Sequence, residues 1–131
     1  MLKVLNVFPS FSVPDVAAAR RFYGGTLGFE VIDAAMGNLE IVLPGGAHVT
    51  AYPKPNHEPA TFTILNMIVP DVEAAVDELA AAGVKMEHYD LPGLKTNEKG
   101  IASGRGPEIA WFKDPFGNVL SVIQNTPGMV E

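Results

Sequence analysis

The 131-residue chain contains no cysteine. That excludes a disulfide framework, thiolate metal ligation and a thiol nucleophile. Positive charge is scarce: nine Lys and Arg stand against fifteen Asp and Glu, for a formal net charge of −6 at pH 7. Neutralising a nucleic-acid backbone needs a basic face, and none is evident, so no nucleic-acid partner is expected. Histidine occurs only at positions 48, 57 and 88, with no HxH or HExxH spacing, so the histidines form no recognisable metal motif. Long apolar runs are also missing. The opening Val4-Leu5-Asn6-Val7, flanked by Lys3 and Pro9, is expected to be neither a signal peptide nor a membrane span. No membrane partner is expected, and the cytoplasm is the expected compartment.

What the chain does have is a duplication. Val13-Pro14-Asp15-Val16 with Ala18 and Ala19 returns as Val69-Pro70-Asp71-Val72 with Ala74 and Ala75. Asp15 and Asp71 lie 56 positions apart, nearly half the chain. A period of that size marks two copies of one supersecondary unit. A proline pushes the residue before it into extended geometry, so Val13 and Val69 should end strands. Asp15 and Asp71 can then cap helices. Val16, Ala19, Phe22 and Tyr23 supply an apolar helical stripe in the first copy, and Val72, Ala75, Val76 and Leu79 in the second. Gly28 and Gly83 suit the left-handed terminating position. New strands are expected at 29–32 and 84–87.

The later strands repeat at a wider spacing. The turn and strand from Leu43 to Thr50 align with those from Asp114 to Ser121, 71 positions on. The 15-residue difference places an insertion in the second copy, in the glycine-rich stretch 90–107, and 52–59, with its three prolines, reads as the linker. Each copy is thus βαβββ. The expectation is an α+β fold in one domain made of two tandem βαβββ modules, about 1–56 and 60–131.

Val13-Pro14-Asp15, then Arg21-Phe22-Tyr23, then Leu27-Gly28-Phe29-Glu30-Val31 resembles the first module of the vicinal oxygen chelate superfamily. That superfamily includes glyoxalase, extradiol dioxygenases and the bleomycin-resistance binding proteins. Asp114-Pro115-Phe116-Gly117-Asn118 with the following strand resembles its closing hairpin. The resemblance implies a cup-shaped, roughly eight-stranded mixed sheet with helices on the outer face. It also implies that metal-dependent relatives draw ligands from two places in each module: seven residues before the capping Asp, and three past the Asn of the closing turn. Those positions fall on Phe8, Ile64, Ser121 and, through the repeat, Thr50. Phe and Ile have no lone pair, and neutral hydroxyls are poor substitutes for imidazole or carboxylate. The replacements are paired across the repeat, apolar with apolar and hydroxyl with hydroxyl. No metal and no cofactor are expected.

If Phe8 faces the cup, strand alternation adds Ser10 and Ser12 on its side, with Phe11 and Val13 toward the helix. The second copy adds Ile64, Asn66 and Ile68. The last strands add His48, Thr50 and Tyr52, and Val119, Ser121 and Ile123. An apolar and aromatic lining with sparse hydroxyls and an amide suits a small organic molecule, and equally suits the filling of a small barrel. Two readings are open for Trp111: a stacking wall for a planar ligand, or a core or dimer-contact aromatic. Two are open for Glu40 as well: a general base or recognition group near the cavity mouth, or a solvated strand carboxylate. The part of the insertion from Pro92 to Pro107 carries Lys95, Lys99 and Arg105 against Glu98 alone. It reads either as a lid that recognises an anionic group or as a solvated loop, and Gly104-Arg105-Gly106 lacks the strand-to-helix context of a phosphate loop.

The sequence therefore points to a metal-independent small-molecule-binding protein, with Phe8, Ser10, Thr50, Tyr52, Ile64, Asn66, Trp111 and Ser121 as ligand-binding candidates. It would sequester a planar or amphipathic compound. The alternative is a glyoxalase-like lyase or isomerase acting through Glu40, His48 or an atypical metal site. A homodimer is expected.

Overall fold

The structure is a computed structural model describing residues 1–130. The chain divides into two compact units, Met1–Pro59 and Ala60–Glu131. The first contains β1 (Ser10–Val13), α1 (Val16–Ala19), β2 (Glu30–Asp33), β3 (Leu39–Val42) and β4 (His48–Pro53). Its four strands form one sheet in the order β1-β4-β3-β2, parallel between β1 and β4 and antiparallel elsewhere. The second unit contains β5 (Thr63–Val69), α2 (Val72–Ala81), β6 (Asp90–Leu91), β7 (Leu94–Lys95), β8 (Ile101–Ala102), β9 (Ile109–Lys113) and β10 (Val119–Gln124). Its sheet runs β5-β10-β9-β8, again with the first pair alone parallel, and β6 and β7 form a separate hairpin. The two sheets share one topology, as the duplication requires. The fold is α+β, with eight sheet strands in two open mixed sheets.

The helix starts follow the duplicated motif. Asp15 Oδ1 accepts from Ala18 N at 3.1 Å, and Asp71 Oδ1 accepts from Ala74 N at 3.2 Å. Each satisfies an amide that has no partner within its helix. In the second unit Gln124, from the end of β10, adds a distant cap. Its Oε1 accepts from Val72 N at 3.0 Å while its Nε2 donates to Pro70 O at 2.6 Å. Gly28 and Gly83 take φ of +80° and +88°, the left-handed geometry that ends each helical segment.

The first helix departs from simple α geometry. After α1 the chain continues as a π-helix over Arg20–Thr26, closed by Leu27 N donating to Phe22 O at 2.9 Å. The wider turn lets the adjacent residues Phe22 and Tyr23 both be buried, edge to face with centroids 5.2 Å apart. Phe11 of β1 meets Tyr23 at 5.5 Å. Together with Val13, Leu39, Ile41, Val49 and Ala51 they form the core of the first unit, and each buried large apolar side chain contributes about 1.5–3 kcal/mol. In the second unit Val72, Val76 and Leu79 of α2 are buried with Phe112, Leu120 and Val122.

The strand expected at 84–87 is a correction. Only Met86 pairs there, by a single bridge to Phe112, with Glu87 N donating to Trp111 O at 2.9 Å. The edge of β9 is then completed by β8, where Ile101 pairs with Ala110. The insertion thus interrupts the edge strand, between Glu87 and Ile101, instead of following it. β9 needs edge partners for its backbone groups, and two short pieces supply what β2 supplies continuously in the first unit.

Candidate functional site

Strand register decides which side chains share a face. In the first sheet Ser10 lies opposite Thr50, Thr50 opposite Glu40, and Glu40 opposite Ile32. These four form a row across the face that the buried Phe11, Ile41 and Ala51 turn away from. Ser12 and Tyr52 pair one step along on that same face. In the second sheet the matching row is Asn66, Ser121 and Trp111. Ser10 and Asn66, Thr50 and Ser121, and Glu40 and Trp111 are the positions the repeat equates. Six of the sequence-selected residues therefore lie in two corresponding rows. Phe8 and Ile64 fit this pattern less well. Phe8 precedes β1 and is exposed. At Ile64 the register shifts, because Thr63 pairs with Val119 and Leu65 with Leu120, which breaks the alternation there.

Polar groups in both rows are engaged, through Ser121 in one and Glu40 in the other. Ser121 is fully buried, and its hydroxyl donates to Asn66 Oδ1 at 2.6 Å. The exposed Asn66 keeps both Nδ2 protons without a partner among the described residues. In the first sheet the His48 imidazole is bonded through Nδ1 to the Glu40 carboxylate. A carboxylate only accepts, so the pair fixes the proton on Nδ1, and a neutral ring then offers Nε2 as its basic nitrogen. Beside this pair lies a cavity of about 420 Å³, whose walls include Asn6, Phe8, Pro9 and Leu43. Phe8, Glu40 and His48, chosen separately from the sequence, thus border one cavity.

His57, assigned by sequence to the linker, returns to the first sheet, where its Nδ1 bonds the Ser12 hydroxyl at 2.6 Å. No sequence pattern announces that contact. It depends on the turn after β4, in which His57 N donates to Lys54 O at 3.0 Å. In the second unit a cavity of about 300 Å³ lies between Trp111 and the insertion. Tyr89 meets the Trp111 ring edge-on at 5.6 Å. The insertion is tied down at several points. Thr96 Oγ1 accepts from Tyr89 N at 2.9 Å, and Asn97 Oδ1 accepts from Lys99 N and Ile101 N at 2.9 and 3.0 Å. Lys99 Nζ bridges Glu73 and Asp77 of α2, at 3.2 and 3.1 Å.

A profile of the Glyoxalase/Bleomycin resistance protein/Dioxygenase superfamily matches residues 7–122. The chain belongs to that superfamily. Several solved structures share its fold. A superfamily member from Sphaerobacter thermophilus is 25% identical, with a TM-score of 0.65 over 92% of this chain and 98% of its own. TnmS3, an antibiotic binding protein from a Streptomyces species, is 23% identical, with a TM-score of 0.67 over 95% and 100%. The fosfomycin resistance protein FosX from Listeria monocytogenes is 15% identical, with a TM-score of 0.68 over 97% of each chain. No curated protein matches.

Metal chemistry occurs in this superfamily, so the donor set needs testing. At the four positions that carry ligands in metal-dependent members, the Phe8 and Ile64 side chains lack a lone pair, Thr50 offers a neutral hydroxyl, and the buried Ser121 hydroxyl donates to Asn66. Among the described residues no three of His, Asp and Glu gather closely enough to hold an ion. The residues present do not fit a divalent metal at that place. Among the described residues, no helix is long and apolar enough to cross a membrane.

Proposed function

We propose that this superfamily member binds a small organic molecule, planar or amphipathic, without a metal, and acts by sequestering it. The observation that carries the proposal is the paired substitution at the ligand positions, Phe8 with Ile64 and Thr50 with Ser121, in a scaffold otherwise kept. The rows of hydroxyl, amide and aromatic side chains, with Ser10, Tyr52 and Asn66 exposed, support it. Such surfaces bind by stacking and apolar contact, with a few hydrogen bonds setting orientation. Antibiotic binding in the similarly folded TnmS3 is consistent with this reading. A homodimer is part of the proposal, since two-fold dimers are the commonest soluble assemblies.

The neutral planar dye Nile red, titrated in excess EDTA, tests it. Saturable, stoichiometric fluorescence enhancement unaffected by the chelator is expected, weakened by Phe8→Asp and Tyr52→Ala. Absence of saturable binding, or binding that the chelator abolishes, would overturn the proposal.

The Glu40–His48 pair beside the 420 Å³ cavity favours a second reading, proton transfer in a lyase- or isomerase-like reaction. A carboxylate-held imidazole with Nε2 available is a competent general base. Turnover of a glutathione adduct that disappears in both Glu40→Gln and His48→Gln would establish this reading, and turnover surviving in either variant would dismiss it.

A further inference from the structure

The cavity of the second unit has a chemistry of its own. Its walls include Trp111 and Ile109 of β9, Gly93, Leu94 and Lys95 of the β6–β7 hairpin, and Arg105 from the loop after β8. Trp111 is half-buried, and its ring is held by the edge of Tyr89 at an interplanar angle of 88°. Arg105 lies flat against the hairpin turn. Its Cζ and both terminal nitrogens are all 3.5 Å from the point where a Cβ on Gly93 would stand. Glycine suits the turn there, at φ +81°, and the guanidinium packs over it.

The two cations are unspent. Arg20, Lys99 and Lys113 each meet a carboxylate. Lys95 and Arg105 meet none among the described residues, although Asp90 is the partner of Lys95 across the β6–β7 hairpin. Lys3, Arg21, Lys54 and Lys85 are also without an ion pair there, but only Lys95 and Arg105 line a concave site with an aromatic wall. The chain carries fifteen carboxylates. Two cations left without one, both lining an apolar and aromatic cavity, match the charge of a ligand.

We propose that this cavity binds a planar aromatic carboxylate. The ring stacks on Trp111 between Leu94 and Ile109, and the carboxylate accepts hydrogen bonds from Arg105 and Lys95. A guanidinium presented flat offers paired N–H donors that match the two carboxylate oxygens, and the lysine adds a point charge. No bond is made or broken. The assignment rests on the small-molecule-binding reading above and names the ligand class for its second unit.

Trp111 is the single tryptophan, so its indole Nε1–H gives one unambiguous signal in the 15N spectrum of the full chain. The probes are 2-naphthoate and its neutral isostere 2-naphthamide. Both are expected to move that signal, with naphthoate binding about tenfold more tightly, in line with a charge-assisted contact at a partly open site. Arg105→Gln with Lys95→Gln, both exposed and so without a folding penalty, is expected to bring the two affinities together while the amide still binds. Equal affinities in the wild type, or a preference that survives the double substitution, would overturn the proposal. If Nile red binds but naphthoate leaves Trp111 unmoved, charge recognition falls and small-molecule binding stands. If neither binds, both fall.

Discussion

Ser121 shows how one side chain separates scaffold from chemistry. At a position where metal-dependent relatives carry a ligand, its hydroxyl is buried and donates to Asn66. Replacing it with Ala removes one hydrogen bond and strands no buried partner, because Asn66 is exposed. Ser121→Ala should therefore cost only about 1 kcal/mol in urea unfolding. Asp114 is a contrasting case. It is buried, and its Oδ1 accepts from Phe116 N and Asn118 N, each at 2.9 Å, while its Oδ2 accepts from Asn118 Nδ2 at 2.9 Å. Asp114→Ala removes three hydrogen bonds from a largely buried turn and should cost about 3 kcal/mol or more by the same measurement. A loss below that of Ser121→Ala would show that the closing turn holds without its carboxylate. Asp114 was legible as a turn residue from the Asp-Pro-Phe-Gly-Asn run. Its burial was not, because sequence gives the turn type and not what covers it.

The duplicated motifs made the regular elements readable: caps at Asp15 and Asp71, left-handed glycines at 28 and 83, and the turns before the last strands. The insertion was located by a difference in spacing but not described by it, since a glycine-rich stretch without periodicity carries no face to read. Its structure rests on particular contacts. A Cβ on Gly100 would lie 2.8 Å from Glu87 O and 3.1 Å from Met86 Cβ, and the residue sits at φ +85°. Gly100→Ala should cost about 1–3 kcal/mol and expose the β8 edge to hydrogen exchange. An unchanged melting temperature with unchanged exchange would contradict that packing. Lys99 ties the same segment to α2, and the hydrogen bonds it donates, to Asp77 first and then Glu73, raise its pKa above 10.5. A cation whose folded pKa is raised contributes fully below its unfolded value, and its contribution is lost as pH rises through the folded one. Amide exchange in the insertion, corrected for intrinsic rate, should accelerate above about pH 10.5 in the wild type and show no such step in Lys99→Met.

Across the whole chain, the repeat equates Ser10 with Asn66, Thr50 with Ser121 and Glu40 with Trp111, and strand register sets each trio in one row of its own sheet. Those rows were legible because a strand alternates strictly. Ile64 escaped the rule at a register shift, His57 through a turn, and the seat of Arg105 on Gly93 through a hairpin that composition does not disclose. The central proposal is that this chain keeps the superfamily scaffold and works without a metal. Native mass spectrometry with elemental analysis, after incubation with Zn²⁺, Mn²⁺ and Ni²⁺ and desalting, tests it most directly. The account predicts no stoichiometric retained metal and Nile red binding unchanged by the treatment. One tightly held divalent ion per chain, with binding or turnover lost on chelation, would contradict it.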